Sequence, residues 1–205
     1  MRIRTVSEST TQLTRYGFVN AYLVREEDGL TLVDTTMNAA AQILAAAAEE
    51  IRRIALTHGH GDHVGSLDEL KKRLPDVEVL MPEIDAQIHA GERKKTKGSW
   101  PKLETTPDTL LRAGDRVGSL EVVATPGHTP GHVSFLDTRD RTVIAGDVFT
   151  TYGRVEVTDH FYWRFPFAAM ATEDKAQDAE SARSLRALEP RLLLVGHGSP
   201  VRDPF

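Results

Sequence analysis

A layered α/β domain is the fold class this sequence predicts, and three observations carry the prediction. Short apolar segments rich in β-formers alternate with helix-forming ones along the whole chain. The length, 205 residues without a discernible internal repeat, is that of one domain, taken as residues 1–205. Several strand-like segments end in Gly-rich turns bearing His or Asp, as in scaffolds that carry functional groups on the ends of rigid strands.

Residues 17–25 (GFVNAYLVR) and 30–34 (LTLVD) flank the turn residues EEDG, and both are predicted strands. Asn38 then opens NAAAQILAAAAEE, a predicted helix with Asn as its cap and alanine as its main helix former. Residues 53–57 (RIALT) predict a buried strand running straight into THGHGDH. Residues 65–74 predict a helix stopped by Pro75, 77–80 a short strand and 83–90 a helix. The basic, Gly- and Pro-bearing stretch 91–107 predicts a loop. Strands follow at 120–125, 132–137 and 142–145. Residues 148–168 have no clean period. A long helix is predicted at 172–188, and RLLLV, 191–195, is the last strand, ending in GHGSP.

The charge balance excludes some functions. With 25 basic and 30 acidic residues the net charge is -5, which disfavours binding to nucleic acid through phosphate neutralisation. The longest small-apolar run, AAAQILAAAAEE, is too short and too polar for a membrane span. MRIRTVSESTTQ has no apolar core of a secretory signal, so a cytoplasmic location is expected. The chain has no cysteine, which excludes disulfides, thiolate catalysis and thiolate metal sites.

Histidine is the informative residue. The segment 58–63, HGHGDH, holds three of the eight histidines in the chain. In extended backbone, side chains two apart point the same way, so His58 and His60 can grip one ion. A turn through Gly61 would let Asp62 and His63 face another. Three further turns carry the same residue types: PGHTPGH with His128 and His132, GD with Asp147, and GHG with His197. Neutral imidazole and carboxylate suit zinc, and also iron or manganese.

In this order, THGHGDH, PGHTPGH, GD and GHG resemble the metallo-β-lactamase superfamily of metal-dependent hydrolases, over almost the whole chain. The resemblance implies a four-layer αββα sandwich with two metal ions at one edge. It implies that His58, His60 and His128 hold one metal, that Asp62, His63 and His197 hold the other, and that Asp147 bridges them. The expected cofactor is two Zn2+ per chain, with Fe or Mn as alternatives. Asp34, in LVDTT, corresponds to the buried acidic residue behind the family's metals; the glycine that usually follows is replaced, the chain reading DTTM. His132 is expected behind the ligands, since all seven ligand positions are already filled.

The implied chemistry is hydrolysis of an acyl bond in a small-molecule lactone, thioester or ester. Asp62 is the expected catalytic residue, orienting the attacking water and passing its proton on. A bridging-type Asp147 resembles the glyoxalase II and lactonase branches. With eight residues left after His197, no glutathione-holding helical domain is expected. The alternative is an iron-dependent oxidoreductase of the persulfide dioxygenase type. Tyr152, Phe161, Tyr162 and Trp163, in the aromatic stretch after Asp147, are the candidate substrate-binding residues, and that stretch could instead pair two subunits into a homodimer. Arg93, Lys94, Lys95, Lys97 and Lys102 predict a solvated loop, or else a lid that attracts an anion. His89 and His160 have no partner pattern and are expected to be ordinary surface or lid residues.

Overall fold

The computed structural model describes residues Met1–Phe205 and shows the four layers directly. The first sheet has seven strands in sequence order: β1 (Arg2–Thr5), β2 (Thr10–Arg15), β3 (Val19–Glu26), β4 (Gly29–Val33), β5 (Ile51–Ala55), β6 (Glu78–Pro82) and β7 (Thr109–Leu111). Strands β1 to β4 pair antiparallel and β4 to β7 parallel. The second sheet comprises β8 (Arg116–Val117), β9 (Leu120–Ala124), β10 (Val133–Asp137), β11 (Thr142–Ile144), β14 (Leu192–Leu194) and β16 (Val201–Arg202). A small third sheet joins β12 (Phe149–Thr151), β13 (Glu156–Val157) and β15 (His197–Gly198).

Central strands are buried on both faces, which is why they read as unbroken apolar runs. In β3, Ala21 and Leu23 face one way, into a core shared with Ile43 of α1 (Ala40–Ala46) and with Leu67 and Leu70 of α3 (Leu67–Arg73). Tyr22 and Val24 face the other way, against Val122, Phe135 and Leu194 of the second sheet. The outer face of that sheet, with Val143 and Leu193, is covered by Ala182 and Leu185 of α6 (Lys175–Ala187). Each side of each sheet thus has a partner, and the strand ends on one edge are left to carry the loops. No helix is long and apolar enough to cross a membrane.

Several sequence expectations shift. Asn38 does not cap α1: it sits at φ 49, and Ser66 Oγ accepts from the Ala39 N–H instead, 2.9 Å away. The predicted helix over 65–74 is α3, and a further short helix, α2 (Gly61–Val64), which includes Asp62 and His63, precedes it. The helix predicted from 172 begins at Lys175, capped by Asp174, which accepts from Gln177 N–H. The patternless 148–168 contains β12, β13 and the start of α5 (Pro166–Ala171). The replaced glycine has a visible consequence. Thr36 is held at φ 53, a left-handed conformation that costs a residue with a Cβ about 1–2 kcal/mol.

Candidate metal centre

Six loops meet on the edge where the inner strands end. Asp34 follows β4, His58 to His63 follow β5, and His128 follows β9. Asp147 follows β11 and His197 follows β14, while α4 (Glu83–His89) starts directly after β6. Three overlapping groups of side chains bring their donor atoms within 4.8 Å of one another: His58, His60 and His128; His58, His63 and Asp147; and Asp62, His63 and His197. Asp147 Oδ1 lies 3.3 Å from His63 Nε2, and its Oδ2 lies 3.4 Å from His128 Nε2 and 3.2 Å from His197 Nε2. All seven sequence candidates are therefore in one cluster, with Asp147 between the two histidine sets.

In each of the five histidines one ring nitrogen is engaged by the protein and the other is left for the centre. His60 Nε2–H donates to the Lys97 carbonyl at 2.9 Å, and His197 Nδ1–H to the Phe18 carbonyl at 2.9 Å. His63 Nδ1–H donates to Asp34 Oδ2 at 2.8 Å. Thr57 Oγ1 donates to Asp34, which leaves it to accept from His58 Nδ1–H at 3.0 Å. Thr172 Oγ1 likewise donates to the Ala168 carbonyl and accepts from His128 Nδ1–H at 3.0 Å. The tautomers are thereby set with His60 Nδ1 and the other four Nε2 atoms bare. Two of these bare acceptors, His60 Nδ1 and His128 Nε2, face each other at 3.1 Å. Lone pairs so placed repel unless a cation lies between them.

Buried His58 Nε2, His63 Nε2 and Asp147 Oδ1 also lack any hydrogen-bond partner. His58 Nε2 is an orphaned neutral acceptor, and a divalent cation would satisfy it and take the place of the proton that His63 Nε2 holds beside Asp147 Oδ1, 3.3 Å away. The residues fit a metal. Protonation follows the same division. Burial pushes the His58 and His128 imidazoles well below the usual value, and His60 down as well. Burial would also push His63 and His197 down, but Asp147 and the neighbouring carboxylates hold His63 well above the usual value and raise His197 to about 10. Burial would push the carboxyls of Asp62 and Asp147 up, yet His63 and His197 hold both below the usual carboxylate range.

The two residues expected behind the ligands lie there. Asp34 also accepts from the Thr57 N–H at 2.8 Å, bracing the strand end that carries His58. His132 accepts the Asp147 backbone N–H on Nε2 at 3.0 Å, and its Nδ1 meets Thr125 Oγ1 at 2.9 Å. Burial pushes it down to about 3, so it is a neutral acceptor that aims Asp147.

Asp85, in the first turn of α4, escaped the sequence reading. Its Oδ2 accepts from the Gly59 N–H at 2.8 Å and from Thr129 Oγ1 at 2.7 Å, and its Oδ1 from the Gly131 N–H at 2.9 Å. Gly59 lies between His58 and His60, and Thr129 follows His128, so one buried carboxylate ties together both loops of the first histidine set. Asp85→Asn turns an amide N–H toward these donors. It is expected to weaken metal binding by about 10–100-fold, measured by competition with a chromogenic chelator. The effect should fall on one metal equivalent, because nothing in the second set touches Asp85.

His89 is not an ordinary surface residue either. It is part-buried between the carbonyls of Gly59 and Pro101, at 2.8 and 3.2 Å. His160 is exposed and pairs with Asp159 and Glu156. Arg93, Lys94, Lys95, Lys97 and Lys102 are all exposed, as in a solvated loop, and two of them strap that loop to its neighbours. Lys95 Nζ bonds the Trp100 carbonyl, and Lys97 Nζ the carbonyls of Thr172 and Glu173. A Cβ on Gly98 would lie 2.3 Å from His60 Nε2, so only glycine lets the strap close onto that ligand.

A cavity of about 570 Å³ opens onto the cluster, with Asp62, Asp147, His60, His128 and His197 in its lining. Of the four candidate substrate-binding aromatics, only Tyr152 lines it. Phe161 and Trp163 stand 68% and 71% exposed around a separate depression, and Tyr162 is buried with its hydroxyl on the Tyr152 carbonyl. Phe18, Phe165 and Phe167 take their places in the cavity.

Fold and site together define a class. Residues 14–197 match the family model of the metallo-beta-lactamase superfamily. The chain is 41% identical over 199 residues to the uncharacterized protein YobT of Bacillus subtilis (strain 168), covering 91% of this chain and 85% of that one. It is 31% identical over 126 residues to a hydroxyacylglutathione hydrolase of Rhodopseudomonas palustris (strain ATCC BAA-98 / CGA009), covering 60% of this chain and 45% of that one. Among solved structures it is similar to TTHA1623 in a di-iron-bound form, with TM-score 0.72, 26% identity, and 93% and 92% of the two chains covered. The chain belongs to the metallo-beta-lactamase superfamily, as a metallo-hydrolase with a histidine and aspartate metal centre.

Proposed function

We propose that the protein is a two-metal hydrolase that cleaves an acyl bond, in an ester, thioester or lactone. One observation carries this reading: Asp147 stands within 3.4 Å of bare nitrogens from both histidine sets, as a carboxylate shared by two cations would. Two divalent cations in these sets would supply Lewis acidity and lower the pKa of water toward neutrality.

The protein's own part is positioning and proton transfer. Asp62 is the part-exposed carboxylate of the cluster, 3.2 Å from His197 Nε2 and lining the cavity. Water adds to the substrate carbonyl carbon, the bond to the leaving oxygen or sulfur breaks, and Asp62 passes the proton from the water to the departing atom. The test is a screen of esters, thioesters and lactones with the protein loaded with zinc, manganese or iron. Acid release that chelation abolishes and metal restores is expected. Oxygen consumption on an iron-loaded persulfide assay, with no acyl substrate turned over, would replace this reading with the oxidoreductase one.

Metal occupancy should depend on pH in two stages. Without metal, His63 and His197 are protonated at pH 7, so a cation entering the second set must displace their protons. The affinity of that set therefore falls as pH falls below about 10, by about tenfold per unit for each proton displaced. His58, His60 and His128 are already neutral, and the first set keeps its cation to lower pH. Dialysis at pH 8 and at pH 5.5, followed by elemental analysis, is expected to show about two equivalents falling toward one.

A further inference from the structure

The cavity beside the metal cluster has an unusual balance of chemistry. No lysine or arginine lines it; its side chains of fixed charge are the carboxylates Asp62 and Asp147. One wall is aromatic. The His197 ring is flanked by Phe165, with centroids 4.7 Å apart, and by Phe18 at 6.2 Å. Tyr152 stacks on Phe165 at 4.9 Å, and Phe167 meets its edge at 5.7 Å. The lysines of the adjoining loop are hydrogen-bonded to backbone: Lys97 to the carbonyls of Thr172 and Glu173, and Lys95 to that of Trp100.

We infer that this pocket selects acyl substrates whose non-reacting arm is uncharged and apolar, and rejects arms bearing carboxylates, such as glutathione thioesters. The inference rests on the acyl-hydrolase reading and names its substrate class. An apolar arm gains by leaving water against Phe18, Tyr152, Phe165 and Phe167. A carboxylate on the same arm loses its hydration and meets no donor cation in the lining. Its only cationic partners would be the metals, where it competes with the reacting carbonyl instead of assisting it. The hydroxyacylglutathione hydrolase similarity therefore extends to the metal cluster and not to the arm that carries the thiol.

Two thioesters of one acyl group test this, one on N-acetylcysteamine, which is neutral, and one on glutathione, which carries two carboxylates. Zinc-loaded protein is expected to favour the neutral arm by at least about tenfold in kcat/KM. Equal or better turnover of the glutathione thioester overturns the inference. The matching thioethers, which cannot be hydrolysed, are compared in parallel by calorimetry, with the neutral one expected to bind at least about tenfold tighter. If neither thioester is hydrolysed, the thioester branch of the acyl-hydrolase reading fails, and the calorimetric pair still decides the pocket's preference. Phe167→Lys adds a cation to the wall at a side chain already 69% exposed, so the fold should tolerate it. It is expected to narrow the preference by several-fold toward the carboxylated thioether; an unchanged ratio in a folded variant counts against the assignment.

Discussion

Asp147→Ala protein will retain at most one metal equivalent and lose at least about 1,000-fold in kcat. This carboxylate is buried between both histidine sets, with one oxygen toward His63 and the other toward His128 and His197. Removing it leaves five imidazoles and Asp62 alone among the ligands to balance two dications. His63 and His197 would lose the carboxylate that most strongly holds their protons, so both should titrate at lower pH in the metal-free variant. Elemental analysis and imidazole NMR check the two halves separately. A variant that keeps two tightly bound equivalents would show that Asp147 does not bridge. His132→Ala should act in the same direction more weakly, because it removes only the acceptor that orients the Asp147 backbone.

Asp62→Asn is the second large effect, and it should divide kcat from KM. Turnover is expected to fall by about 10²–10⁴-fold, the usual worth of a positioned acid–base group, while KM moves by little. The amide keeps the size of the side chain and one oxygen toward His197, but it cannot carry a proton from water to the leaving atom. Metal content must be measured on the same sample. Full occupancy with low kcat supports proton transfer by Asp62; unchanged turnover rejects it.

The ligand set was legible because each member sits in a short motif at a strand end, where local sequence and final position nearly coincide. The strands carrying those motifs were legible for a related reason: burial on both faces leaves an apolar run that no other element resembles at that length. Asp85 was not. An acidic residue in the first turn of a helix reads as an ordinary helix-start preference. Its role arises because folding brings Gly59, 26 residues before it, and Gly131, 46 residues after it, onto one carboxylate. Phe18 was missed in the same way, since it enters the cavity from a turn far in sequence from His197, which it flanks; Phe165 and Phe167 lie in the aromatic stretch but were not singled out from it. Strand β1 is exposed along its length and exists through pairing with β2, so it has no alternation to read. Strands β12 and β13 are three and two residues long and depend on partners such as β15. The aromatic run 161–163 stood out in sequence but faces a depression away from the metals; clustering in the chain did not imply a shared pocket.

Anomalous diffraction at the zinc edge, on crystals grown from zinc-saturated protein, tests the two-cation centre most directly. Two peaks are expected, one among His58, His60 and His128 and the other among Asp62, His63 and His197, with Asp147 between them. A single peak, or peaks outside these side chains, would contradict a paired metal centre.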